Sequence, residues 1–195
     1  MSKAKKTKWY IIEKTADTFN KRGFIGTSMS DITKATGLTK GSIYGNFANK
    51  EEVAITAFNH NYQNLIKRFS SNLNKESTSK GKLLAFLSTY EEAFEDIIDQ
   101  GGCPILNNAV DTDDTNSNLS ILSAKAFNDW NSNIQTIINI GKAKKEIYSA
   151  VDSEYYADLF VSMIEGGLLL AKSTGEKRYF DHCIKHLRTI INESF

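Results

Sequence analysis

Proline is almost missing from this sequence: Pro104 stands alone among 195 residues, beside only twelve glycines. So few turn residues argue against many short strands joined by tight turns and favour long helices. Cysteine is equally scarce. Cys103 and Cys183 cannot build a disulfide framework, so a reducing compartment, the cytoplasm, is expected. No stretch approaches the ~18 uninterrupted apolar residues of a membrane span, and the longest candidate, near Met163 to Ala171, contains Glu165. The basic start, Met1 to Lys8, leads into no apolar run of the signal-peptide kind. Neither a membrane nor secretion is expected.

What is present is ordinary in amount and uneven in distribution. Hydrophobic residues make up 41% and charged residues 24%, which excludes a disordered chain. The net charge of +1 conceals an asymmetry. Residues 1–50 hold ten Lys or Arg against Glu13, Asp17 and Asp31, giving +7, while the remainder holds 14 basic and 20 acidic groups, giving −6. A basic segment on an acidic body points to a polyanion met by the N-terminal end. A solvated tail would account for Lys3, Lys5, Lys6 and Lys8, but not for Lys40 and Lys50.

Helical periodicity runs throughout the chain. Trp9, Ile12, Ala16 and Phe19 mark the inward face of a first helix that should end at Gly23. Ser28 and Asp31 form a capping-box-like start for a second, which Gly37 stops. Thr39 is the expected N-cap of a short third helix reaching about Phe47. Asn49 begins a fourth, with Phe58, Tyr62, Leu65 and Phe69 along one stripe. Leu83, Leu87, Tyr90, Phe94 and Ile97 mark a fifth. Gly101 and Gly102 break it, and Pro104 opens a sixth running to about Val110. Leu119, Leu122, Ala126, Phe127, Trp130, Ile134, Ile137 and Ile138 trace a seventh. Asp152 or Ser153 caps an eighth, and beyond Gly175 a ninth carries Phe180, Cys183, Ile184, Leu187, Ile190 and Ile191. The expected fold is all-α with nine helices.

The second and third helices, joined at Thr36-Gly37-Leu38, make a helix-turn-helix within the basic segment. Such a third helix must be short and small-sided at its outer N-terminal end to enter a DNA major groove about 12 Å wide. Thr39, Lys40, Gly41 and Ser42 supply that end, and the Tyr44 hydroxyl can reach a phosphate. Lys50, the first-turn N–H groups of the fourth helix, and Ser28 are expected on backbone phosphates.

These residues carry a resemblance. The stretch Gly23-Phe24, Thr27-Ser28-Met29-Ser30-Asp31-Ile32, Ala35-Thr36-Gly37-Leu38-Thr39-Lys40-Gly41-Ser42-Ile43-Tyr44, Phe47 and Lys50-Glu51 resembles the DNA-binding signature of the TetR/AcrR family of bacterial transcriptional regulators, over roughly residues 7–55. One position departs: Gly45 stands where the family has a larger side chain, so it is left out of the contact set while its neighbour Asn46 is kept. The resemblance implies a DNA-binding domain at residues 1–50, and a ligand-binding and dimerisation domain at 51–195. It implies a homodimer reading successive major grooves, its last two helices forming a four-helix interface. Gly166, Gly167, Phe180, Ile184, Leu187 and Ile191 are assigned there, although the four large residues would equally suit an intramolecular core. It also implies a repressor released from a palindromic operator by a small molecule. If Tyr62, Phe86, Tyr90, Phe94, Phe127, Trp130 and Met163 line one cavity, that effector is flat or apolar; each is equally a plain core residue.

Other signals lead nowhere. His182 and His186 share a helix face without a third metal ligand. Asp111, Asp113 and Asp114 begin no EF-hand, because Asn116 and Leu122 occupy the required Gly and Glu positions. Cys103 at a helix start suits a redox thiol or a packed small side chain. There is no P-loop, no G-x-S-x-G and no G-x-G-x-x-G. No cofactor is expected, and the alternative of a small helical enzyme or interaction module has no site to rest on.

Overall fold

Nearly every helix boundary falls on a residue suited to begin or end one. The computed structural model describes residues 2–195, and among the described residues there are nine helices and no strand. Met1, with which the basic start and the 1–50 segment open, lies outside the described residues. The helices are α1 (Lys3–Arg22), α2 (Met29–Thr36), α3 (Lys40–Tyr44), α4 (Lys50–Leu73), α5 (Ser79–Asp99), α6 (Pro104–Thr112), α7 (Ser117–Ala143), α8 (Ser153–Thr174) and α9 (Arg178–Ser194). None is long and apolar enough to cross a membrane.

Ser28 and Asp31 close a reciprocal capping box on α2. Gly37 ends that helix at φ 68°, ψ 9°, where a β-carbon is strained, and donates its N–H to the Thr33 carbonyl. Thr39 caps α3, the Asn49 side chain accepts the Glu52 N–H at 2.8 Å, and Asp152 rather than Ser153 caps α8. One expected boundary moves: α3 stops at Tyr44, and residues 45–46 turn the chain so that Phe47 still reaches the core.

The chain packs as two units that do not divide at residue 50. The first comprises the chain through Asn64 together with Gln100–Ala124; the second comprises Leu65–Asp99 and Lys125–Phe195.

In the first unit, Ile11, Ile12, Ala16 and Phe19 of α1 meet Ile32, Ile43, Phe47, Val53, Ala54, Ala57 and Leu119 in one core. Trp9 is not part of it. It is about half exposed (48%), with its ring edge-on to His60, because Ile11 takes the inward position instead. The end of α1 is tied to α6 by side-chain amides. Asn20 donates to the carbonyls of Gln100 and Gly102, at 2.7 and 3.0 Å, and Asn107 donates to the Gly101 carbonyl at 2.7 Å. The Asp111 carboxylate accepts the Phe24 N–H at 2.5 Å. A polar network, not apolar packing alone, thus sets where α1 ends.

In the second unit α9 packs against α8 and α5. Phe180, Ile184, Leu187 and Ile191 form its inward face, each essentially without exposed surface. This corrects their assignment to an intermolecular interface: a side chain enclosed by its own chain has no surface left for a partner. Gly167 belongs with them. A β-carbon there would lie 3.1 Å from the Phe180 Cα and 3.3 Å from the Cys183 sulfur, so its small size lets α8 and α9 of one chain approach. Gly166 differs, since nothing lies within 4 Å of an added β-carbon.

Candidate nucleic-acid interface and ligand pocket

Ile43 and Phe47 anchor α3 from within, and that anchoring decides what its other face presents. Thr39, Lys40 and Gly41 are exposed, Tyr44 is half exposed and Ser42 half buried. The Thr39 hydroxyl accepts the Ser42 N–H at 3.2 Å. An added β-carbon at Gly41 would meet nothing closer than the Thr39 hydroxyl at 3.9 Å, so this end of α3 is open to close approach. The Tyr10 hydroxyl donates to the Thr36 carbonyl at 2.9 Å, which fixes the end of α2 against α1. Sequence reasoning missed that role, since one tyrosine on a helix flank gives no periodic signal.

Two residues expected on this face are engaged elsewhere. The Lys50 ammonium donates to the carbonyls of Phe24 and Thr27, at 2.8 and 2.9 Å, and sits 4.2 Å above the Phe24 ring. Its expected phosphate contact is corrected to a structural one: the ammonium staples the α1–α2 loop to the start of α4. Asn46 is likewise turned inward, its amide donating to the Ser42 carbonyl at 2.9 Å. Ser28 is exposed, but its hydroxyl accepts the Asp31 N–H and donates to the Asp31 carboxylate at 2.6 Å.

The caps and loops around α2 and α4 rest on ionised carboxylates. The Ser28 hydroxyl and N–H, with Arg22 beside them, hold the Asp31 carboxyl below its ordinary 3.8. The amides of Asn118 and Asn116 lower Glu51, and Lys8 with the Ala48 N–H lowers Glu52, both from 4.5. A depressed carboxylate stabilises the fold fully above its unfolded-state value, and that contribution is lost as pH falls through the folded-state value. The first unit should therefore hold full stability above about pH 4.5 and weaken below it. Urea unfolding followed by Trp9 fluorescence in a Trp130→Phe background measures this, and Asp31→Asn should flatten the decline.

The second unit contains a pocket of about 380 Å³. Ile66, Phe69, Phe86, Trp130, Ile134 and Ile137 supply its apolar wall, while Ser70, Asn74, Lys82 and Asn133 are polar members of its lining. Of the seven residues expected around one cavity, only Phe86 and Trp130 line it. Tyr90 packs behind, its ring 4.6 Å from that of Phe69 and 5.3 Å from that of Phe86. Phe94 lies against Phe180 at 4.9 Å. Phe127 and Met163 are half buried and do not line the pocket; Tyr62 belongs to the first unit, beside Phe58. The expected single aromatic cage is thus corrected to a smaller cluster. Helical spacing ranked all these aromatics alike because each lies on an inward face, and it does not say which inward faces leave a void.

Residues 11–56 match the family described as bacterial regulatory proteins, tetR family, and residues 79–187 match the tetracyclin repressor-like C-terminal domain. A TetR-family transcriptional regulator from Cytophaga hutchinsonii is 38% identical, with a TM-score of 0.93 over 98% of this chain and 96% of that one. A TetR transcriptional regulator from Chloroflexus aurantiacus J-10-FL is 33% identical, with a TM-score of 0.91 over 100% and 98%. The HTH-type transcriptional repressor DhaR of Mycobacterium sp. (strain GP1) is 26% identical over 163 residues, 84% of this chain and 81% of that one.

Proposed function

Because the chain belongs to the TetR family of bacterial transcriptional regulators, we propose that it is a dimeric repressor which leaves a palindromic operator when a small apolar or aromatic effector occupies the second unit. That it is a DNA-binding transcription factor and not an enzyme follows from the family itself. The proposal adds direction, assembly and effector, and it works where the DNA is, in the cytoplasm. Division of labour between a DNA-reading segment at 1–50 and an effector and assembly segment at 51–195 is part of the same reading.

The observation that carries it is the open end of α3. Thr39, Lys40, Gly41, Ser42 and Tyr44 offer hydroxyls, one cation and a bare backbone on a helix held rigidly from behind by Ile43 and Phe47. Two such helices in a dimer would read half-sites about 34–36 Å apart. Assembly through α8 is supported by the exposed Leu169 and Leu170 beside the open Gly166, which lie at i, i+3 and i+4 on one face. Repression is supported by the name of the DhaR relative. Selection of bound duplexes from a random pool tests the reading: palindromic half-sites at that spacing are expected, and recovery of no preferred sequence would refute it.

An effector moves a two-state equilibrium only by the difference in its affinity for the two states. Helix α4 is continuous from Lys50, which holds the α1–α2 loop, to Leu73 in the pocket wall, and so it is the element an effector would bias. Trp130→Phe should raise the effector concentration needed for operator release by about tenfold and leave operator affinity without effector unchanged. Titration of a labelled duplex reads both quantities.

A further inference from the structure

The pocket of the second unit combines an aromatic floor with a single cation. Trp130 lies edge-on to Phe69 at 4.9 Å between ring centroids, and Phe86 lies 5.1 Å from Phe69 and 5.7 Å from Trp130. Ile66, Ile134 and Ile137 extend this apolar wall. Lys82, in the first turn of α5, lines the same pocket and is half buried. Its ammonium has neither an ion pair nor a hydrogen bond among the described residues. Two acids lie at the start of α5: Glu146 accepts the Ser79 N–H at 2.6 Å, and the Glu76 carboxylate sits beside Gly81, 2.7 Å from where a β-carbon would be, without an ion pair to Lys82.

The pairing of these features is selective. Lys82 shares its pocket with the apolar wall, so an anion bound there beside the ammonium is screened less than at an open surface. An ionised hydrogen bond is also about twice as strong as a neutral one. Ring faces and isoleucine methyls meanwhile reward a flat hydrocarbon body, and about 380 Å³ falls within the range of small-molecule sites. From this we infer that the effector is a small organic anion, a carboxylate, sulfonate or phosphate ester borne on a flat hydrocarbon body, with its charge against Lys82 and its rings against Phe86 and Trp130. The inference deepens the proposed function, resting on its statement that the second unit takes an effector.

A matched pair of probes tests it: anilinonaphthalene sulfonate, and phenylnaphthylamine, the same body without the sulfonate. In the full-length Trp9→Phe protein Trp130 is the remaining tryptophan of two, so a probe in this pocket must accept energy from it. The sulfonate should bind about tenfold more tightly than the neutral probe. Lys82→Met should abolish that preference, bringing the sulfonate's affinity to or below the neutral probe's, and Lys82→Arg should preserve it. Equal binding of the two probes, a preference that survives Lys82→Met, or sulfonate binding without transfer from Trp130 would each overturn the inference. No DNA enters the measurement, so such a failure leaves operator recognition standing, whereas absence of operator binding would refute only the regulatory reading.

Discussion

Phe180→Ala should destabilise the second unit by about 3–5 kcal/mol, while Leu170→Glu should leave the fold intact and yield a monomer. Phe180 has no exposed surface, and its ring lies 4.9 Å from that of Phe94 with the Lys177 ammonium 5.5 Å away. Truncation leaves a void that cannot be closed by drawing the helices together, because Gly167 already sits in close contact with the Phe180 backbone. Leu170 is 46% exposed, so a carboxylate there meets water in the monomer and is buried only if α8 faces a second copy. Urea denaturation and sedimentation velocity separate the two outcomes. Dissociation of a fully stable Phe180→Ala protein would return α9's apolar stripe to the interface.

Binding to the operator duplex should weaken about 10³–10⁵-fold between roughly 50 and 200 mM salt if about six to ten phosphates are neutralised. Within that response two lysines should part company. Lys40 is exposed on α3, so Lys40→Ala should shift sequence preference at one base position by about 1–3 kcal/mol. Lys50 already serves two carbonyls, so Lys50→Ala should leave the salt slope unchanged and lower the stability of the first unit by about 2 kcal/mol. A reduced slope for Lys50→Ala would restore it to the phosphate contacts. Fluorescence anisotropy across a salt series, with denaturation of the same variants, reads both.

The contrast between those lysines shows where sequence reasoning stops. Both stand in the same basic segment, ten residues apart, and a charge count weights them equally. What separates them is that the carbonyls of Phe24 and Thr27, on a loop more than twenty residues upstream, converge on one ammonium and not the other. Lys82 gave no signal at all in the sequence, and it acquires chemical interest only because α7 brings Trp130 and Ile134 to the same pocket. In the same way the period of α9 identified Phe180, Ile184, Leu187 and Ile191 as one face. It could not say whether that face met its own chain or another.

Local order in the chain was sufficient for the helices and the reading head. Capping boxes, helix-ending glycines and a 3.6-residue period act between residues a few positions apart, so the placement of Ser28, Gly37, Thr39 and the buried Ile43 is written in adjacent letters. The assignments that required distance were decided by tertiary structure: which inward faces enclose a void, which cations find a carbonyl, and which leucines remain outside. Those outcomes depend on close packing and on desolvation of groups brought together from remote parts of the chain, and neither is encoded in any single window of the sequence.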